Sequence, residues 1–196
     1  MPKRRTKKAK HGLLNGISYT RKVEIAGILI MAIASLILLS IISHHPNDYG
    51  LVKSMPSGSL FSLDQSPARQ VQNWLGLSGA WISYAFVTLT FGYLSLILPL
   101  LLLLMGWYVF RGRAMSQLGW PAAYGLWSMV LLSTLAGWFY NMEIGIHSSA
   151  WSGHAGIAVA HILQNFTGVG SIVILSVLCF VTLLMLYDRD LQKTVD

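Results

Sequence analysis

The sequence predicts an all-α membrane protein with four transmembrane helices, both termini cytoplasmic, and a short interfacial half-helix in the last outer loop. Three observations carry this fold class. Of 196 residues 54% are apolar and only 11% charged, whereas a soluble domain carries about 25% charged residues. Four apolar runs reach the roughly 20 residues needed to cross about 30 Å of hydrocarbon as a helix. Once those runs are drawn, 12 of the 14 basic residues fall on one side of the membrane, the pattern that sets orientation in membrane proteins. A soluble enzyme, a secreted disulfide scaffold and a basic nucleic-acid domain are poor readings. The single cysteine, Cys179, permits neither an intramolecular disulfide nor a thiolate metal cluster.

Residues 1–22 form a basic cytoplasmic tail, with Lys3, Arg4, Arg5, Lys7, Lys8, Lys10, Arg21 and Lys22. The first span covers about 23–43. Its apolar run is longer than a signal-peptide core, and no small-residue cleavage pattern follows at His44-His45-Pro46, so an uncleaved anchor is expected. Glu24 is placed in the first turn of this span, favoured there by the helix dipole and by Arg21 and Lys22. Residues 44–78 change to an irregular polar connection marked by Pro46, Gly50, Pro56, Gly58 and Pro67. Within it, Ala68 to Leu75 is weakly amphipathic, as a surface-lying stretch would be.

The second run, about 79–110, exceeds one straight span. Pro99 lies inside it and is expected to free a backbone hydrogen bond and kink the helix. Arg111 and Arg113 follow on the cytoplasmic side. The third span covers about 121–140, with Pro121 at its start and Trp120, Trp138 and Tyr140 near its ends, where aromatic rings favour the headgroup layer. Residues 154–166 look helical but are too short to cross, which suggests an interfacial half-helix near the outer surface. The fourth span covers about 169–187, and 188–196 is a short cytoplasmic tail with Arg189 and Lys193. Lys53 and Arg69 alone lie on the outer side. Gly92, Ser95, Gly125, Ser128 and Gly137 permit close helix packing.

Chemistry is sparse. No Gly-Lys pair occurs, so the phosphate-cradling loop of a nucleotide motor is missing. His147, His154 and His161 recur every seven residues, two helical turns or about 10 Å apart, too far for one metal ion. No span contains histidine, which argues against haem between helices. Spans two to four contain no ionisable residue, whereas proton and ion pathways retain them. A small transporter or channel, and a non-catalytic subunit of a membrane complex, stand as the alternative functions. The basic tail suits an anionic leaflet better than DNA phosphates.

An ordered set of motifs resembles the start of the FtsK/SpoIIIE DNA translocases. It begins with Glu24-Ile25-Ala26-Gly27-Ile28-Leu29, then Ser43 and Pro46-Asn47-Asp48. Asn73-Trp74-Leu75-Gly76-Leu77-Ser78-Gly79-Ala80-Trp81, Phe91-Gly92-Tyr93 and Leu98-Pro99-Leu100 follow. Ser152-Gly153-His154-Ala155-Gly156, Phe166 and Gly168-Val169-Gly170-Ser171 complete the set, which runs from about Arg21 to Tyr187. The resemblance implies the membrane-anchoring and assembly domain of a septal DNA translocase, at work in chromosome segregation and cell division. It implies a multi-pass protein of the bacterial inner membrane, at the division septum. The expected partners are the bilayer, division-site membrane proteins and further copies of the chain, a hexamer in the full-length family. In that family ATP and Mg belong to a motor that follows the fourth span, and DNA is contacted through that motor. With only nine residues after Tyr187, the chain is expected to lack the motor, to bind no cofactor or metal, and to be no enzyme.

Overall fold

The structure, a computed structural model, describes residues 18–54 and 70–195, without the side chains of Val52, Ser54 and 188–195. The basic cluster Lys3 to Lys10, and Pro56, Gly58, Pro67 and Arg69 of the long connection, lie outside the described residues. So does part of the Ala68 to Leu75 stretch. Among the described residues there is no β-strand. Four helical stretches are long and apolar enough to cross a membrane: Tyr19–Ile42, Gly92–Phe110, Met115–Asn141 and Gly153–Tyr187.

Helix α1 (Tyr19–Ile42) begins where the Lys22 amide donates to the Ser18 carbonyl at 3.1 Å. It therefore starts four residues before the apolar run. Glu24 sits in the second turn, and the first turn holds no acidic residue, so the expected dipole contact at the helix start is corrected. A short helix, α2 (Asp48–Ser54), forms in the connection that read as irregular.

The second apolar run is not one kinked rod. Helix α3 (Gly76–Ser83) continues as a π-turn, Tyr84–Leu89, and the chain breaks at Thr90 and Phe91. It resumes as a 3-10 segment, Gly92–Leu96, that passes into α4 (Ile97–Phe110). The break in this run lies before Gly92, which takes φ +69°, seven residues ahead of Pro99. Pro99 is buried in the first turn of α4. The chain is helical through Gly92–Phe110, so proline there forgoes one backbone hydrogen bond, just after 3-10 geometry gives way to α.

Helix α4 runs antiparallel to α1. Their backbones touch where a Cβ on Gly27 would lie 2.6 Å from the Phe110 nitrogen, and at the other end the His44 and Tyr93 rings are 6.0 Å apart. A 3-10 turn, Met115–Leu118, leads into α5 (Gly119–Asn141). After a connection with a 3-10 turn at Ser149–Trp151 comes α6 (Gly153–Thr167), then Gly168 at φ +58° and α7 (Ser171–Val195). Helix α7 extends past Tyr187, so the backbone of residues 188–195 of the expected tail is helical.

Two pairs of hydrogen bonds set the directions of the last helices. Ser133 Oγ donates to the Ser152 carbonyl at 2.7 Å, and Asn141 Nδ2 to Gln164 Oε1 at 3.1 Å. Helix α6 therefore climbs parallel to the last part of α5. Trp138 Nε1 donates to Ser171 Oγ at 2.8 Å, and Trp127 Nε1 to Thr182 Oγ1 at 3.0 Å, which makes α7 antiparallel to α5. The start of α6 lies beside Ser133, eight residues before Asn141, or about 12 Å below the end of α5 at 1.5 Å per residue. The helix thus packs along the last part of α5.

The core is small and lies between α5, α6 and α7, built on Leu131, Trp138, Ala160 and Leu175. Outward-facing Leu29, Ile33, Leu36, Val177, Phe180 and Leu183 are exposed, as expected of side chains solvated by lipid. Several hydroxyls on the spans are satisfied locally: Ser35, Thr134 and Thr182 donate to carbonyls four residues earlier, which removes the cost of an unpaired donor in hydrocarbon.

Candidate functional site: two helix junctions and the cleft between them

At the end of the bundle opposite Arg111, the motif residues gather into two junctions. The first joins the end of α1 to the start of α3. Asp48 is buried, and its two carboxylate oxygens accept the amides of Gln72 at 2.9 Å and Asn73 at 3.0 Å. This holds the Asn73 side chain against α1. Asn73 Nδ2 donates to the Ser40 carbonyl at 2.9 Å and the Ser43 carbonyl at 3.2 Å, two of the acceptors that a helix C-terminus leaves open. Its Oδ1 accepts the Leu75 amide, and Ser40 Oγ donates to the Gly79 carbonyl at 2.6 Å. Gly79 is required by contact, because a Cβ there would collide with Asn73 Oδ1. Gly76 takes φ +62° to start α3.

The second junction joins the break before α4 to the start of α6. The Ala155 amide donates to the Thr90 carbonyl at 3.0 Å. A break in one helix thereby caps the first turn of another. A Cβ on Gly92 would strike the Ala150 and Trp151 backbone, and one on Gly153 would strike the Thr90 carbonyl. Both glycines also have positive φ, so each position excludes a side chain twice over. Gly156 presses on Ser133 and Gly137. Gly168 ends α6 in the left-handed region, while Gly170 meets open space.

Between the junctions lies a cleft of about 330 Å³, lined by His44, Pro46, Tyr49, Thr88, Ser149 and His154 among others. His44 Nδ1 is 3.2 Å from Ser83 Oγ. Burial pushes the His44 pKa below its ordinary 6.5, Asp48 opposes that shift, and His45 adds to it. His161 pairs instead with Asn165, and His147 lies in a separate polar groove beside Glu143. Among the described residues, no group of three or more potential ligands is placed to hold a metal ion.

The charged candidates occupy the other end. Arg21, Lys22, Arg111 and Arg113 are exposed and Glu24 is half-buried. The Arg111 guanidinium lies over Trp107, 4.8 Å from the ring centroid, and that of Arg113 lies 5.9 Å from the Tyr108 centroid. Sequence reasoning missed Thr90, Ser133 and Ser83, and gave Ala155 a place in a motif without a role. Buried serines recurring along otherwise apolar runs were the available signal.

The 4TM region of DNA translocase FtsK/SpoIIIE matches this chain over residues 20–196. No curated protein and no solved structure matches it.

Proposed function

The chain belongs to the FtsK/SpoIIIE family through its four-span membrane region, and from that premise we propose that it anchors and assembles a septal DNA translocase. The observation that carries this reading is the family match over 20–196. The folded arrangement supports it, since the motif residues act as structural joints and not as a reaction centre. Asp48 and Asn73 lock α3 to α1, and Gly92 and Gly153 lock α4 to α6. A bundle held at both joints is a rigid seat for a motor joined at α7.

In this reading both termini are cytoplasmic, supported by the basic residues at the Arg111 end and the positive-inside rule. The protein resides in the bacterial inner membrane at division sites and assembles with further copies and with division-site membrane proteins. ATP, Mg and DNA are the business of the motor. A fluorescent fusion of this chain should concentrate at the septum of dividing cells. Uniform membrane fluorescence would remove the septal role and leave the membrane domain alone.

A further inference from the structure

The basic end of the bundle holds a crevice of about 240 Å³ between α1 and α4, lined by Tyr19, Val23, Glu24, Val109, Phe110 and Arg111 among others. It exists because the two helices are unequal. They touch backbone to backbone at Gly27 and Gly106. Beyond that contact α1 continues towards Tyr19, while α4 stops at Phe110. The floor is apolar, and the rim carries one cation, Arg111, and one anion, Glu24.

We propose that this crevice binds the headgroup of an anionic phospholipid, phosphatidylglycerol, with its phosphate on Arg111 and its glycerol hydroxyls towards Glu24. Three features support that occupant. First, Arg111 is folded back along α4 onto the Trp107 ring. Its charge is therefore held near the depth where tryptophan meets the headgroup layer. Second, guanidinium forms paired, charge-assisted hydrogen bonds to phosphate oxygens. Third, Arg21 and Arg113 add exposed positive charge at this end of the bundle against the single Glu24, so the field favours a net anion. The Glu24 carboxylate accepts hydrogen bonds, which the two glycerol hydroxyls supply beside the phosphate.

The full chain, purified in detergent, is incubated with phosphatidylglycerol, phosphatidylcholine or phosphatidylethanolamine, and retained lipid is counted by native mass spectrometry. Phosphatidylglycerol should be retained in preference. Arg111→Gln should lower its retention about tenfold, as loss of a charge-assisted contact predicts. Lys22→Gln removes the same charge outside the crevice and should change little. Val23→Trp fills the space without touching charge and should abolish retention. Inorganic phosphate should not displace the lipid.

Equal losses in Arg111→Gln and Lys22→Gln would overturn the site in favour of diffuse attraction. Phosphatidylethanolamine retained as well as phosphatidylglycerol, and lost in Glu24→Gln, would overturn the anionic choice. Displacement by inorganic phosphate would overturn the lipid. Circular dichroism checks that each variant is folded. Should Val23→Trp misfold, the Arg111 and Lys22 pair still decides.

Discussion

The amide of Ala155 donates to the carbonyl of Thr90 at 3.0 Å, so an interruption in the second apolar run is satisfied by the first turn of a helix far along the chain. In hydrocarbon an unpaired backbone carbonyl costs several kcal/mol, and broken helices persist there only when a neighbour supplies the missing partner. Here the two irregular points complete each other.

Asp48 is the first test of this view of the chain as a set of joints. Asp48→Ala leaves the amides of Gln72 and Asn73 without their acceptors at a buried position. The expected loss is about 1–3 kcal/mol, chiefly from the buried Asn73 amide, because exposed Gln72 can turn its amide to water. Thermal unfolding in detergent should show a clear fall in midpoint. Asp48→Asn should fall less, because one acceptor oxygen survives.

Helix contact at glycine is the second. A Cβ on Gly137 would lie 2.6 Å from the Gly156 carbonyl oxygen, so Gly137→Ala must push α5 and α6 apart, at a cost of about 1–3 kcal/mol. Gly50 in α2 meets no atom within 4 Å of its added Cβ. Gly50→Ala should leave stability unchanged or raise it by up to about 1 kcal/mol through helix propensity. A Gly137→Ala protein as stable as the parent would contradict the close crossing.

Much of this architecture was legible in the sequence, and the failures have definite causes. Span length and hydropathy located the helices because the bilayer imposes both. The half-helix at 154–166 was visible as an apolar run too short to cross, yet its packing depended on Gly137 and Gly156, which no periodicity reveals. Pro99 drew the expected kink because proline is the local helix breaker, whereas the break before Gly92 needed Thr90 to find Ala155. That contact is tertiary and leaves no local mark. Asp48 and Asn73 carried family resemblance without a stated role. Only folding shows that one holds the other.

Acidification supplies a third prediction. Burial lowers the His44 pKa, against the opposing pull of Asp48, so the folded protein binds a proton there less readily than the unfolded chain. Stability at this site is therefore full above pH 6.5. It declines as pH falls from that value through the lowered folded pKa. The unfolding midpoint should drop between pH 7.5 and pH 5.5, and the drop should shrink in His44→Gln. An unchanged pH response in that variant would show that the decline has another source.

Topology gives a fourth. Ser116 and His147 are exposed and lie on either side of α5. In a background with Cys179 replaced, a cysteine at His147 should react in intact cells with an impermeant thiol reagent. One at Ser116 should react only after the membrane is opened. Labelling of both from outside would reject the orientation with cytoplasmic termini.

The second junction offers the most discriminating test, because each of its glycines can be replaced singly and together. Gly92 and Gly153 have φ of +69° and +60°, and a Cβ at either would collide with backbone from the opposite segment. Each alanine therefore meets both backbone strain and overlap, at a cost of about 1–3 kcal/mol. If the Thr90–Ala155 contact is one cooperative joint, the first substitution already separates the segments and the second adds little. The double variant should then be destabilised by clearly less than the sum of the singles, as residues in contact are rarely additive. Hydrogen exchange at the Ala155 amide should rise in both singles to a similar level. Strict additivity, with Ala155 still protected in either single variant, would mean that the break before α4 and the start of α6 are held independently.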